Sequence, residues 1–98
     1  MRHEAATVFE LSRVAELADL PGETLTKLAR EMERHELASG EEIDPMDEVG
    51  LVLGGMLTGA GGVLRPGDRL RGAARALTPA AVATCAKDTY DRVVGVSG

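Results

Sequence analysis

Aromatic residues are almost missing from this 98-residue sequence: it has Phe9, Tyr90 and no tryptophan. A core without large rings must be built from Leu, Val, Ala and Met, and in a single small domain such a core is thin. Self-association would help to stabilise it. Cysteine occurs once, as Cys85, which excludes an internal disulfide and a multi-cysteine metal site. Cys85 reads as a small buried residue rather than a nucleophile, and a reducing, cytoplasmic location is expected. The two histidines, His3 and His35, have no ligand-spaced partners, so no metal is expected. Carboxylates adjoin one another in polar loops, Glu41-Glu42 and Asp47-Glu48, where solvation accounts for them. No catalytic constellation results, so neither an enzyme nor a cofactor is expected.

Long apolar runs are nearly as scarce. Met1, Arg2 and His3 lead into a polar segment, so no signal peptide is expected. Val49–Leu64 is free of charge, but six of its 16 residues are glycine. As a helix it would reach about 24 Å against a bilayer core of roughly 30 Å, so no membrane partner is expected. Its glycines fit neither GxGxxG nor G-K-S/T, and they read as turn and bulge positions.

What is present divides by charge. Residues 1–48 hold 13 acids and 5 bases, whereas residues 49–98 hold 3 acids and 6 bases. The halves can attract each other or offer surfaces of opposite sign, and the overall acidity argues against general nucleic-acid binding. Residues 4–20 have helical spacing at Val8, Leu11, Val14 and Leu17. Pro21 then opens a helix with Leu25, Leu28, Ala29 and Met32 on one face, expected to end near His35. Ala38–Glu41 is a turn between short extended pieces, and Asp44–Glu48 an acidic loop. Val49–Thr58 is apolar on both alternations and reads as one strand buried on both faces. Gly59–Gly62 and Arg65–Asp68 are turns. From Arg69 the chain alternates, with Arg69, Arg71 and Arg75 on one parity and Leu70, Gly72, Ala74 and Ala76 on the other: a half-buried strand with arginine outside. Val82–Ala86 is a further strand, Asp88–Val94 a last helix, and Gly95–Gly98 a frayed tail.

These elements predict one α+β domain over 1–98. It has N-terminal helices (4–35), a small antiparallel β-roll or jelly-roll barrel (36–86) and a short C-terminal helix (87–94). The run LADLPGETLTKLAREMERHELASGEEI, followed by Val52-Leu53-Gly54-Gly55 and Leu64-Arg65-Pro66-Gly67-Asp68, resembles cyclic-nucleotide-binding domains of the catabolite-activator type. The resemblance covers roughly Phe9 to Val94 and implies the β-roll of that family. It also implies that a phosphate-binding cassette should follow the PGD turn: a short helix opened by Gly-Glu and followed by Arg. Here Asp68 is followed by Arg69-Leu70-Arg71-Gly72-Ala73-Ala74. Gly72 stands as a remnant of that glycine, no Glu follows it, and too few residues remain for the helix. The family's dimerising helix and DNA-reading helix-turn-helix have no counterpart before Gly98, so specific DNA binding is not expected.

The sequence thus points to a non-catalytic regulatory or interaction domain that has lost cyclic-nucleotide binding. Its expected partners are another protein or a second copy of itself. A stand-alone bacterial regulator and a phage-encoded factor acting on a host protein fit equally. The expected surface is the arginine row Arg65, Arg69, Arg71 and Arg75, together with Val52 and Met56, left uncovered without the cassette. The alternative is a small-ligand sensor that holds a cyclic nucleotide or another anion through Arg71, Gly72 and Arg75.

Overall fold

The computed structural model describes residues 10–14 and 17–96. Residues 4–9 of the expected first helix, including Val8 and Phe9, lie outside these, as do His3 and the last two residues of the tail. The described part of the first segment runs as successive i→i+3 turns, with Arg13 N–H bonded to the Glu10 carbonyl, Val14 to Leu11, and Leu17 to Val14. That spacing turns Leu11, Val14 and Leu17 inward, where all three are buried.

Helix α1 (Gly22–Glu31) starts behind Pro21, whose carbonyl receives the N–H groups of Thr24 and Leu25. Its buried stripe is the expected one, Leu25, Leu28 and Ala29, with Met32 just beyond. It ends at Glu31 rather than near His35. The charge pattern through Arg34 suits a helix, but pairing with a distant strand wins. Met32 turns extended, and strand β1 (Glu33–Leu37) pairs with residues 80–84. Arg34 then bonds Glu10 and Glu36 instead of lining a helix face.

Six further strands follow: β2 (Glu42–Ile43), β3 (Glu48–Gly54), β4 (Leu57–Gly59), β5 (Gly62–Leu64), β6 (Ala74–Ala76) and β7 (Ala80–Ala86). They form two antiparallel sheets, of order β1-β7-β3 and β2-β6-β4-β5. Helix α2 (Lys87–Val96) continues directly from β7. The architecture is α+β, with the sheets forming a small roll. Alternation in β3 and β7 divides their side chains between two cores. Val49, Leu51, Leu53, Ala81, Ala83 and Cys85 pack under the helices with Leu28 and Tyr90. Val52, Ala80 and Val82 face the second sheet with Leu57, Leu70, Ala74 and Ala76. Both strands are therefore buried on both faces, as the doubly apolar pattern of β3 predicts.

The expected continuous strand over Val49–Thr58 is broken. Register slips at Leu53, and the chain crosses from one sheet to the other at Gly55-Met56. Gly55 sits at φ +77°, and a Cβ there would overlap the Pro79 carbonyl oxygen and crowd Ala80. The Arg65–Asp68 turn forms as expected. Pro66 precedes Gly67 at φ +98°, and the Asp68 N–H meets the Arg65 carbonyl at 2.9 Å. The turn docks on β3 through Gly67 N–H to the Val52 carbonyl (2.8 Å) and Val52 N–H to the Asp68 carbonyl (2.9 Å).

Gly55→Ala should lower unfolding stability by more than ~2 kcal/mol, because it combines a left-handed φ with overlap onto backbone. Gly54→Ala, which meets no atom within 4 Å, should stay within about 1 kcal/mol of the parent. Paired urea denaturation curves measure both. Equal losses would contradict the crossing geometry.

Candidate functional site

The segment after the PGD turn holds no helix. Five residues, Arg69 to Ala73, join Asp68 to β6. Arg69 bridges to Leu51 beside β3, and the Leu70 N–H bonds the Gly50 carbonyl at 2.8 Å. Leu70 is buried, Gly72 takes φ +127°, and regular pairing resumes at Ala74. The alternation of arginine outside and small residues inside holds, but the continuous strand expected over this segment does not.

The arginine row is dispersed. Arg69 lies 5.4 Å from the Tyr90 ring centroid, a cation–π contact that ties the loop to α2. Arg75 projects from the outer face of β6 to Glu42, at 3.1 Å. It lies beside Glu42 and Thr58 on an open groove that shares Gly59, Ala60 and Ala73 with the Arg71 cleft. Arg65 and Arg71 make no side-chain hydrogen bond or ion pair with any described residue. Of the three expected ligand groups, Arg71 and Gly72 meet at one cleft, closed on its other side by Gly59, Ala60, Gly61 and Leu64. Arg75 does not reach it, because Ala74 and Ala76 take the inward positions of β6. The cleft holds about 120 Å³.

Val52 is not an exposed surface residue. It is 0% exposed, because even positions of β3 face the roll interior, and the chain itself covers it. Met56 is 38% exposed, as expected. Leu77, 45% exposed, joins it: its N–H bonds the Met56 carbonyl at 2.8 Å. Leu77 shares the outward parity of Arg71 and Arg75, so the alternation that placed the arginines could have placed it too. Val63, 52% exposed on β5, carried no comparable signal, since its neighbours are glycine and leucine.

Cys85 is buried under the helices. Desolvation, with smaller contributions from Glu48 and Glu31, pushes its thiol up to about 11. Such a thiol is not a nucleophile at neutral pH. His35 Nε2 lies 2.9 Å from Thr84 Oγ1 across the β1–β7 pair, a partner within the roll. Among the described residues no cluster of three potential ligands could hold a metal ion. No described helix is long and apolar enough to cross a membrane.

No protein-family model matches the chain, and no curated protein is a detectable sequence relative. Solved structures match it strongly in fold. The sensor domain of the transcriptional regulator DNR from Pseudomonas aeruginosa superimposes with a TM-score of 0.76 at 13% identity, over 99% of this chain and 82% of that one. A cyclic nucleotide-binding-like protein from Brucella abortus gives 0.63 at 20% identity, over 91% and 97%. The regulatory subunit of a cAMP-independent protein kinase A from Trypanosoma cruzi, bound to guanosine, gives 0.71 at 17% identity, over 97% of this chain. The chain spans 44% of that subunit and 41% of a cAMP-bound PfPKA-R. The fold is therefore that of cyclic-nucleotide-binding domains, in a shortened form.

Two measurements test this arrangement. Arg69→Ala should cost about 1 kcal/mol through lost contact with Tyr90, whereas Arg71→Ala should change stability by less than about 0.5 kcal/mol. Equal effects in denaturant would restore the row. The raised Cys85 pKa means that the folded state favours the neutral thiol. Its contribution is complete below the ordinary value of 9.0 and lost as pH rises towards about 11. The stability difference between the parent and Cys85→Ala should shrink across that window, and a pH-independent difference would contradict the burial.

Proposed function

We propose that this domain is a non-catalytic regulatory module that acts through its surface on another protein and no longer takes a cyclic nucleotide into the roll. The single observation carrying this reading is the five-residue link between the PGD turn and β6. It leaves no cassette helix to offer N–H groups to a phosphate. Ala73, not Glu, follows Gly72, so no carboxylate is set for a ribose hydroxyl. The remaining cleft, at about 120 Å³, falls well below the roughly 300–1,000 Å³ of small-molecule sites. The side chains on the surface are Arg65 and Arg71, exposed Val63 on β5, and Met56 beside Leu77 at the sheet crossing.

A second reading has one observation in its favour. Arg71 reaches the cleft with no partner among the described residues, as an anion-binding group would. The Trypanosoma cruzi kinase subunit, part of which shares this fold, is bound to guanosine. A small-ligand sensor is therefore the alternative.

Thermal unfolding with millimolar cAMP, cGMP, guanosine and inorganic phosphate separates the two. The surface reading expects no saturable change in Tm with any of them. A ligand at 100 times its Kd would add about 2.7 kcal/mol. A saturable rise that Arg71→Ala removes would overturn the surface reading in favour of the sensor.

A further inference from the structure

We propose that the free edge of β5 is a docking edge for an acidic, extended segment of a partner protein. The segment adds as a strand beside β5 and sets its carboxylates against Arg65 and Arg71. This rests on the surface reading above and names the kind of partner that reading requires.

An unpaired sheet edge presents a row of N–H and C=O groups that another chain can join, and folded proteins guard such edges. Three of the four edges here are guarded. β1 carries Glu33, Arg34 and Glu36. The outer edge of β3 is already occupied by the 67–70 segment, through the Gly67, Val52 and Leu70 hydrogen bonds. β2 is two residues long, and its Glu42 is tied to Arg75. β5 differs. It is also short, at three residues, but among the described residues it pairs with β4 alone, contains no charge, and leaves Val63 half exposed. Strand addition at an open edge is a common way to read an extended peptide.

Charge selects the occupant. Arg65 follows β5 directly, and Arg71 lines the same cleft as Leu64 of β5. Arg34, Arg69 and Arg75 have partners, whereas these two have none among the described residues. A second copy joined β5 to β5 about a two-fold axis would bring like-charged arginines together, the one acid near the edge, Asp68, being engaged by the Arg65 backbone N–H at 2.8 Å. An acidic segment with adjacent carboxylates offers one to each face of β5, to Arg65 on the Val63 parity and to Arg71 on the Leu64 side.

The test is an amide-shift titration of the ¹⁵N-labelled protein with the capped hexapeptide Val-Glu-Glu-Val-Glu-Glu, beside the same peptide with Lys for Glu. The acidic peptide should shift Gly62–Leu64 and Arg71–Ala73, less so at high salt, and the basic one should not. The double variant Arg65→Glu, Arg71→Glu should keep a native spectrum and lose roughly tenfold or more in affinity. Silence at millimolar acidic peptide, equal binding of the basic one, shifts elsewhere, or an unaffected double variant would each overturn the proposal. So would concentration-dependent dimerisation abolished by Val63→Lys. cAMP is titrated in parallel. Cleft shifts with cAMP would overturn the surface reading itself, whereas silence with both cAMP and peptide would overturn the docking edge alone.

Discussion

The structure depends on β7 standing between β1 and β3. Both faces of β7 and of its neighbour β3 are dry, one against the helices and one against the second sheet. With so few aromatics, no single side chain anchors either core. Leu11, Leu28, Leu51 and Val82 are each fully buried, and the cores meet across the thickness of one sheet. A change in β3 or β7 is therefore felt on two sides. This also explains the alanines of β7: between a helix layer and a second sheet there is room for Ala80, Ala81 and Ala83, not for larger residues.

Much of this was legible before any coordinates. Leu25, Leu28 and Ala29 define the α1 stripe by spacing alone, and Pro66-Gly67-Asp68 specifies its turn by chemistry. The doubly apolar run of β3 states that both its faces are covered. What the sequence hid was non-local. The end of α1 is decided by residues 80–84, some fifty positions away, which capture Glu33–Leu37 as a strand although their charges suit a helix. The break at Gly55 follows from a change of sheet that periodicity does not record. The burial of Val52 is not legible in the sequence, because a strand apolar on both parities does not reveal which parity faces which layer.

The region after the PGD turn keeps the frame of the roll with a short link in place of a helix. Turn, hairpin and closing strand remain where the fold needs them, because each supplies backbone pairing. The link from Arg69 to Ala73 keeps structural duties: a bridge to β3, a buried Leu70 and a ring contact for Arg69. Arg71 alone among the charged residues of the link has no such duty among the described residues, and it lines the cleft with Gly72 and Leu64.

The sheet order has one more consequence, in time rather than space. β1 and β3 are not neighbours, and each finds its central partner only in β7, the last strand of the chain. During synthesis from the N-terminus, α1 and the hairpin of β4 and β5 can form from local contacts as they appear. The three-stranded sheet must wait until Ala86 is made. Until then the apolar run of β3 can pair only with the 67–70 segment, on one edge. The nascent chain therefore carries its most aggregation-prone segment, Val49 to Leu53, with one edge unpaired for the span of some thirty further residues. The glycines in and around that run, poor strand formers, lessen the risk of joining the wrong strand while it waits.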